Sequence, residues 1–275
     1  MNTIATYRRV FFTFVRNSLV RDMTFRGNFI IDTISSLCWA MLNVIFYQQI
    51  FRFTGSLGDK TGWHRYEFYA FFSTGLIINA LVQMFFMTNI DEMTDMIRTG
   101  DLDFILLKPI DTQFLVSLRR IEWSSLANLL VGIGFLVYAL TQLAHVPGVL
   151  QMLLFLIYMA CGVAIYYSLM VALGASTVWM GRNLTLYDFW FYITTFSRYP
   201  MEIYSGPLGY PLRALFTFVI PILIVINVPA RMIVWPLDSR HWPLAGFALL
   251  AAIGSVAASR WLFQTALGSY RSASS

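Results

Sequence analysis

Charge is what this chain has least of. Of its 275 residues only 12% are Asp, Glu, Lys or Arg, about half the share of an ordinary soluble domain, which excludes a water-soluble globular fold. Disorder is excluded as well, because 58% of the residues are apolar and a disordered chain needs low hydrophobicity with high net charge. Cysteine is nearly missing: Cys38 and Cys161 both sit in apolar runs, which argues against a disulfide or metal framework. Histidine is as sparse, with His64, His145 and His241 on separate segments. HExxH, CxxC and GxSxG are all lacking, so no catalytic or metal-ligating residue is assigned. The stretch Gly58, Asp59, Lys60, Thr61 lacks the glycine immediately before the lysine that a phosphate loop requires. The net charge of +5 is spread out rather than striped, which excludes nucleic acid and points to anionic lipid.

What the chain does have is long apolar runs. Residues 68–90 and 149–180 contain no Asp, Glu, Lys, Arg or His, and each exceeds the roughly 20 residues that cross a bilayer. The pattern predicts an all-α polytopic membrane protein with six spans, at about 28–51, 67–90, 121–143, 149–180, 212–230 and 243–264. Residues 1–27 alternate arginines with Phe11, Phe12, Val15, Leu19 and Val20, which predicts an amphipathic interfacial helix. No cleavable leader is expected there, because the five arginines leave no clean apolar stretch before a small-residue cleavage site. Residues 28–270 then form one transmembrane domain, and 271–275 a tail.

Placing the amino end inside puts fourteen basic residues, among them Arg98, Arg198 and Arg260, on inner segments and five on outer ones, which favours that orientation with both termini cytoplasmic. Proline-rich 181–211 is expected as a surface helix near the inner leaflet. Pro221 and Pro229 predict a kinked fifth span, and 229–242 is a candidate re-entrant segment.

The loop 91–120 is too polar for lipid and too amphipathic for a slack linker. Asp91, Glu92 and Asp95 alternate with Met93, Met96 and Ile97, and Gly100 would end a short helix. Composition leaves a docking element and a solvated connector equally open. A run of residues here, Ile97, Arg98, Gly100, Asp101, Leu102, Asp103, Leu107, Lys108, Pro109, Gln113, Phe114, Ser117 and Arg119, resembles the signature loop of ABC type-2 exporter permeases. A second block agrees: Phe196, Ser197, Arg198, Tyr199, Pro200, Ile203, Tyr204, Thr217–Pro221, Pro229 and Ala230. Arg26, Asn28 and Phe29, and the tail from Tyr270 to Ser275, are similar too, while Val228 and the stretch 206–211 depart from the pattern.

The resemblance implies a six-span permease subunit in a bacterial inner membrane, paired with a second permease, identical or related, and with cytoplasmic ABC ATPase subunits. It implies that Met96, Ile97, Arg98, Gly100, Asp101 and Asp103 belong to the coupling region, and that ATP and Mg are bound by the partner ATPase, with no cofactor on this chain. Asn79, Gln83, Thr217 and Asn227 are polar groups within apolar spans and are candidates for a substrate path lined otherwise by apolar groups without charge, suited to an amphipathic substrate. The small-residue row Ala160, Ala164, Ser168, Ala172, Ser176 predicts close helix packing within the chain. Asp32 is the one charge well inside the first span, expected to snorkel or pair with Arg26, and Glu122 is expected to pair with Arg119 or Arg120. Two other functions remain open: a lipid-modifying membrane enzyme using Glu202, Asp188 and the histidines, and a proton-coupled transporter using Asp32.

Overall fold

The computed structural model describes residues 3–56, 61–143, 146–180, 186–238 and 242–270. Gly58, Asp59, Lys60, His145, Arg182, Arg240, His241 and the tail 271–275 lie outside the described residues, as does the side chain of Asp188. Among the described residues the chain is helical and no strand occurs.

Helix α1 (Thr3–Thr24) passes through a turn at Phe25 into α2 (Arg26–Phe53). Helix α3 (Arg65–Val82) continues through a π turn at Gln83–Met87 into α4 (Thr88–Thr99). Short helices α5 (Leu102–Leu106) and α6 (Thr112–Leu118) lead to α7 (Ser125–Thr141) and α8 (Val149–Met180). After α9 (Leu186–Ser197) and a 3-10 turn at Met201–Ile203 come α10 (Gly206–Ala214), a second π turn at Leu215–Val219, α11 (Leu223–Val234) and α12 (Trp242–Ser269). Four of these are long and apolar enough to cross a membrane, Arg26–Phe53, Arg65–Thr99, Val149–Trp179 and Trp242–Ser269, and the bent pair α10–α11 would make a fifth if it counted as one span.

Helix α8 is the central post. It packs on α12, α11, α3, α4 and α9, and its glycines set the approach. A Cβ on Gly162 would lie 2.8 Å from the carbonyl oxygen of Val225, and one on Gly174 2.5 Å from the Met93 methyl. Pro229, which has no N–H, leaves the Val225 carbonyl without its helical donor, and the absent side chain of Gly162 makes room for it. The expected small-residue row is mixed: Ser168 is buried and Ala160 is exposed, so the glycines define the tightest contacts.

The bundle has two ends. At one, Trp63 is fully buried and its ring packs on Phe71 and Trp235, at centroid distances of 5.2 and 4.6 Å. At the other, Gly100 ends α4 in the left-handed region, φ +85°, as a helix C-terminus favours. Helix α8 joins the two: Gln151 Nε2 donates to the Trp235 carbonyl at 2.9 Å, and Gly174 faces Met93 and Ile90.

Three expectations are refined. First, α7 starts at Ser125 and not at 121, because the preceding backbone is held elsewhere. Arg120 N–H donates to Asn89 Oδ1 at 2.8 Å, Ile121 N–H to Ser18 Oγ at 3.0 Å, and Glu122 N–H to the Met84 carbonyl at 2.9 Å. Met84 lies in the π turn, whose widened ladder leaves carbonyls to spare. Second, the kink expected within 212–230 is a bend of 87° between α10 with its π turn and α11. The break falls at Ile220, in extended conformation before Pro221, since proline disfavours a helical residue before it. Third, the sharp bend lies at 220–222, ahead of the candidate re-entrant segment 229–242, of which 239–241 lie outside the described residues. Glu202 and Trp235 both reach Trp63, so the segment between them begins and ends at the same end of the bundle and dips inward at the 220–222 break. Helix α9, expected at the surface, exposes Phe191 and Tyr192 and buries Trp190, Ile193, Thr194 and Ser197, with Trp190 edge-on to Tyr166 and Ser197 Oγ 2.5 Å from the Tyr166 hydroxyl.

Candidate functional site

A cavity of about 540 Å³ opens between α2, α3, α7 and α9. Its walls follow from helical spacing. Trp39, Asn43 and Tyr47 recur on one face of α2, and Phe72 and Asn79 of α3 with Gln83 of the π turn line the opposite wall. Asn79 Nδ2 donates to the Gly75 carbonyl at 2.8 Å and Asn43 Nδ2 to the Trp39 carbonyl at 2.7 Å, so each gives one of its two amide hydrogens to its own helix. Asn128 Oδ1, from α7, is buried and has no hydrogen-bond partner. The π turn begins at Gln83, which is exposed and lies on the same wall.

Arg198 lines this cavity just past the end of α9, its guanidinium carbon 5.2 Å from the centre of the Phe191 ring. It is the one Asp, Glu, Lys or Arg among the lining residues, and no carboxylate pairs with it among the described residues. The lining therefore carries a charge, where a charge-free path was expected. Arg198 had been placed with the inner basic residues, and its role on a cavity wall needed the position of α9 to be seen.

Of the four residues expected on a path, Asn79 and Gln83 lie on the cavity wall and two do not. Asn227 is fully buried: its Oδ1 accepts from Met201 N–H at 3.0 Å and its Nδ2 donates to the Leu223 carbonyl at 2.7 Å. It fixes the 3-10 turn to α11. Thr217 is buried in the second π turn, its hydroxyl without a partner. Asp32 is exposed on α2, away from the cavity, and makes no ion pair with Arg26 among the described residues.

The loop at the Gly100 end is held from several sides. Asp111 caps α6, accepting from Phe114 N–H at 2.9 Å, and pairs with Arg260 of α12. The same guanidinium donates to Gln113 Oε1 at 3.0 Å, and Gln113 Nε2 donates to the Tyr167 hydroxyl of α8 at 2.9 Å. Tyr7 of α1 accepts from Asp111 N–H at 3.1 Å. Burial pushes the Asp111 carboxyl up, but Arg260 and the backbone N–H groups of Phe114 and Gln113 outweigh it and hold the carboxyl below its ordinary value. Arg260, lone in an apolar helix, and Asp111, three residues before Phe114, were each visible as an isolated signal; their pairing across 149 positions was not.

In the segment expected to couple, Met96 and Ile97 are half-buried against the core, Arg98 makes an exposed pair with Asp95 at 3.2 Å, and Asp101 accepts from the Thr99 hydroxyl at 2.8 Å. Asp103 is half-buried at the start of α5. The apolar side chains turned outward come later: Phe104 is 69% exposed and Leu107 82%. Nearby, Glu92 takes Arg120 at 2.7 Å, so Glu122, expected to hold an arginine, has only a looser contact with it at 3.9 Å.

Glu202, whose role the sequence left open, accepts from the Trp63 indole N–H at 3.1 Å and pairs with Arg231. Among the described residues no group of three His, Cys, Asp or Glu side chains comes together as metal ligands would.

No curated protein and no solved structure matches the chain. A family model described as "ABC-2 family transporter protein" matches residues 37–274, which takes in α3 to α12, the cavity and the Gly100-end loop. This chain, a multi-pass membrane protein with a transport permease's architecture, belongs to the ABC-2 family of transporter proteins.

Proposed function

We propose that this chain is the permease of an ATP-driven exporter in a bacterial inner membrane, working with a second permease, identical or related, and with separate cytoplasmic ABC ATPase subunits that bind ATP and Mg. Family membership supports the transport role. The coupling assignment rests on one observation: the α4–α6 loop turns Phe104 and Leu107 outward while Asp111 and Gln113 tie it to α12, α8 and α1. A push on such a loop moves several helices at once.

Six passes are proposed: α2, α3 with α4, α7, α8, α9 with its 3-10 turn, and α12. The 17 residues of α7 span about 25 Å, which suits a tilted or thinned crossing rather than a long one. Tyr7 and Arg260 meet at Asp111, which supports both termini at the Gly100 end, and the excess of inner basic residues makes that end cytoplasmic. Helix α1 then lies at the inner interface, with Tyr7, Val10, Phe14 and Ser18 turned to the bundle and Arg8, Arg9 and Arg16 outward. The exposed apolar side of α2, with Ile34, Trp39, Leu42 and Phe46, is left for lipid or the second permease. The cavity lined by Asn79, Gln83 and Arg198 is the candidate substrate path.

The test is co-purification. An affinity-tagged chain extracted in detergent from its own host should bring an ATP-hydrolysing subunit with it. A chain that emerges alone and transports in proteoliposomes without nucleotide would overturn the reading.

A further inference from the structure

Arg198 is half-buried on the cavity wall. A guanidinium set among apolar side chains is best offset by an anion or a set of acceptors. Arg198 has the Phe191 ring against it, and no carboxylate within ion-pair reach among the described residues. Its planar set of N–H donors suits the paired oxygens of a carboxylate or phosphate. Arg198 is the one cation in the lining. Asn43 and Asn79 each give one amide hydrogen, to Trp39 and Gly75 respectively, and keep a second, and Asn128 Oδ1 is an unpartnered acceptor. Neutral amides bind an oxyanion more weakly than a guanidinium does, so the head is held most strongly at Arg198.

Beyond this one cation the wall is aromatic and aliphatic: Trp39, Phe72, Trp190 and Phe191 with Leu76 and Ile226. Trp39 and Phe191 are 62% and 52% exposed, so the cavity reaches the molecular surface through an apolar opening. Its volume of about 540 Å³ falls in the range of small-molecule sites.

We infer that this cavity takes a single-chain anionic amphiphile, with its oxyanion head on Arg198 and its hydrocarbon chain along Trp39, Trp190 and Phe191. The assignment rests on reading the cavity as the substrate path, and it names the class of substrate that path selects.

Trp39 and Trp190 make binding visible, since a bromine on the chain would lie near both rings and quench them. The full-length protein is placed in nanodiscs of zwitterionic phosphatidylcholine at pH 8 and titrated with 11-bromoundecanoic acid. Saturable quenching is expected on top of the linear part that tryptophans facing lipid give. Arg198→Gln should weaken it about tenfold or more, because a charge-assisted hydrogen bond is lost, and Arg198→Lys should restore most of it. The double variant Trp39→Phe, Trp190→Phe should remove the saturable part. The uncharged 11-bromoundecanol tests the same point on the unaltered protein, and should give only the linear part. Saturable quenching by the alcohol at the same concentrations, or unchanged affinity in Arg198→Gln, would overturn the inference. No ATPase takes part in the measurement, so a failure here leaves the ATP-driven reading untouched, and a failure of that reading leaves this result standing.

Discussion

The indole N–H of Trp63 donates to Glu202 at 3.1 Å, across 139 positions of sequence. That bond joins the α2–α3 connection to the 3-10 turn after α9, and with Arg231 on the same carboxylate it closes the Trp63 end of the bundle. Removing one member of such a pair strands the other. Glu202→Ala should destabilise the protein by about 3 kcal/mol, read as a lower melting temperature in detergent. The double variant Glu202→Leu, Arg231→Met should recover most of the loss, and a double variant no better than the single would show that the pair is not what holds this end.

The path of the chain at α9 is testable by labelling. Ser205 and Val146 are both exposed, and the fold places both at the Trp63 end. In a background without Cys38 and Cys161, cysteines at 146 and 205 should react with an impermeant thiol reagent from the outside of intact cells, and one at Thr99 should not. Reaction at 146 without reaction at 205 would return 181–211 to the inner surface.

Glycine makes a matched pair of substitutions on neighbouring spans. Gly162→Ala puts a methyl carbon 2.8 Å from the Val225 carbonyl, a backbone atom with little room to move, and should cost about 1–3 kcal/mol. Nothing lies within 4 Å of a Cβ at Gly134, so Gly134→Ala should leave the melting temperature unchanged or raise it. Equal effects at both positions would contradict the α8–α11 packing.

Asp111 supplies a pH signature. Its carboxyl sits below its ordinary value in the folded protein, so its contribution is complete above that value and is lost as pH falls through the folded one. Asp111→Asn keeps a competent helix cap but not the charge facing Arg260. At pH 7 the variant should be less stable by roughly 1 kcal/mol, since both partners are partly solvated. As pH falls from the ordinary aspartate value of about 4 through the lower folded value, the gap between the two proteins should close. A constant gap at every pH would mean that the charge contributes nothing.

The parts of this fold legible in the sequence are those written locally. The first, second, fourth and sixth spans appear as apolar runs, and Gly100 as a helix stop, because each needs only its own residues. The stretch from α9 to α11 does not: α9 has 12 residues, too few to stand out, and the proline-rich stretch after it hid a bend whose direction depends on Trp63. Arg198 illustrates the same limit. As a basic residue near a predicted surface helix it was counted towards orientation, whereas its neighbours across α2 and α3 make it the charged point of a cavity. Phe104 and Leu107 turn outward while Met96 and Ile97 pack on the core, a difference hidden in composition, which cannot say which side of a short helix faces the bundle.

Engagement of the Gly100 end by a separate ATPase is tested most directly by site-specific cross-linking. Leu107 and Val146 are 82% and 88% exposed at opposite ends of the molecule, so a cysteine at either should leave the fold intact. With the complex isolated from its host and treated with a short bifunctional maleimide, Leu107→Cys should capture the ATPase subunit and Val146→Cys should not. Capture from 146, or none from 107 while the ATPase still co-purifies, would contradict it.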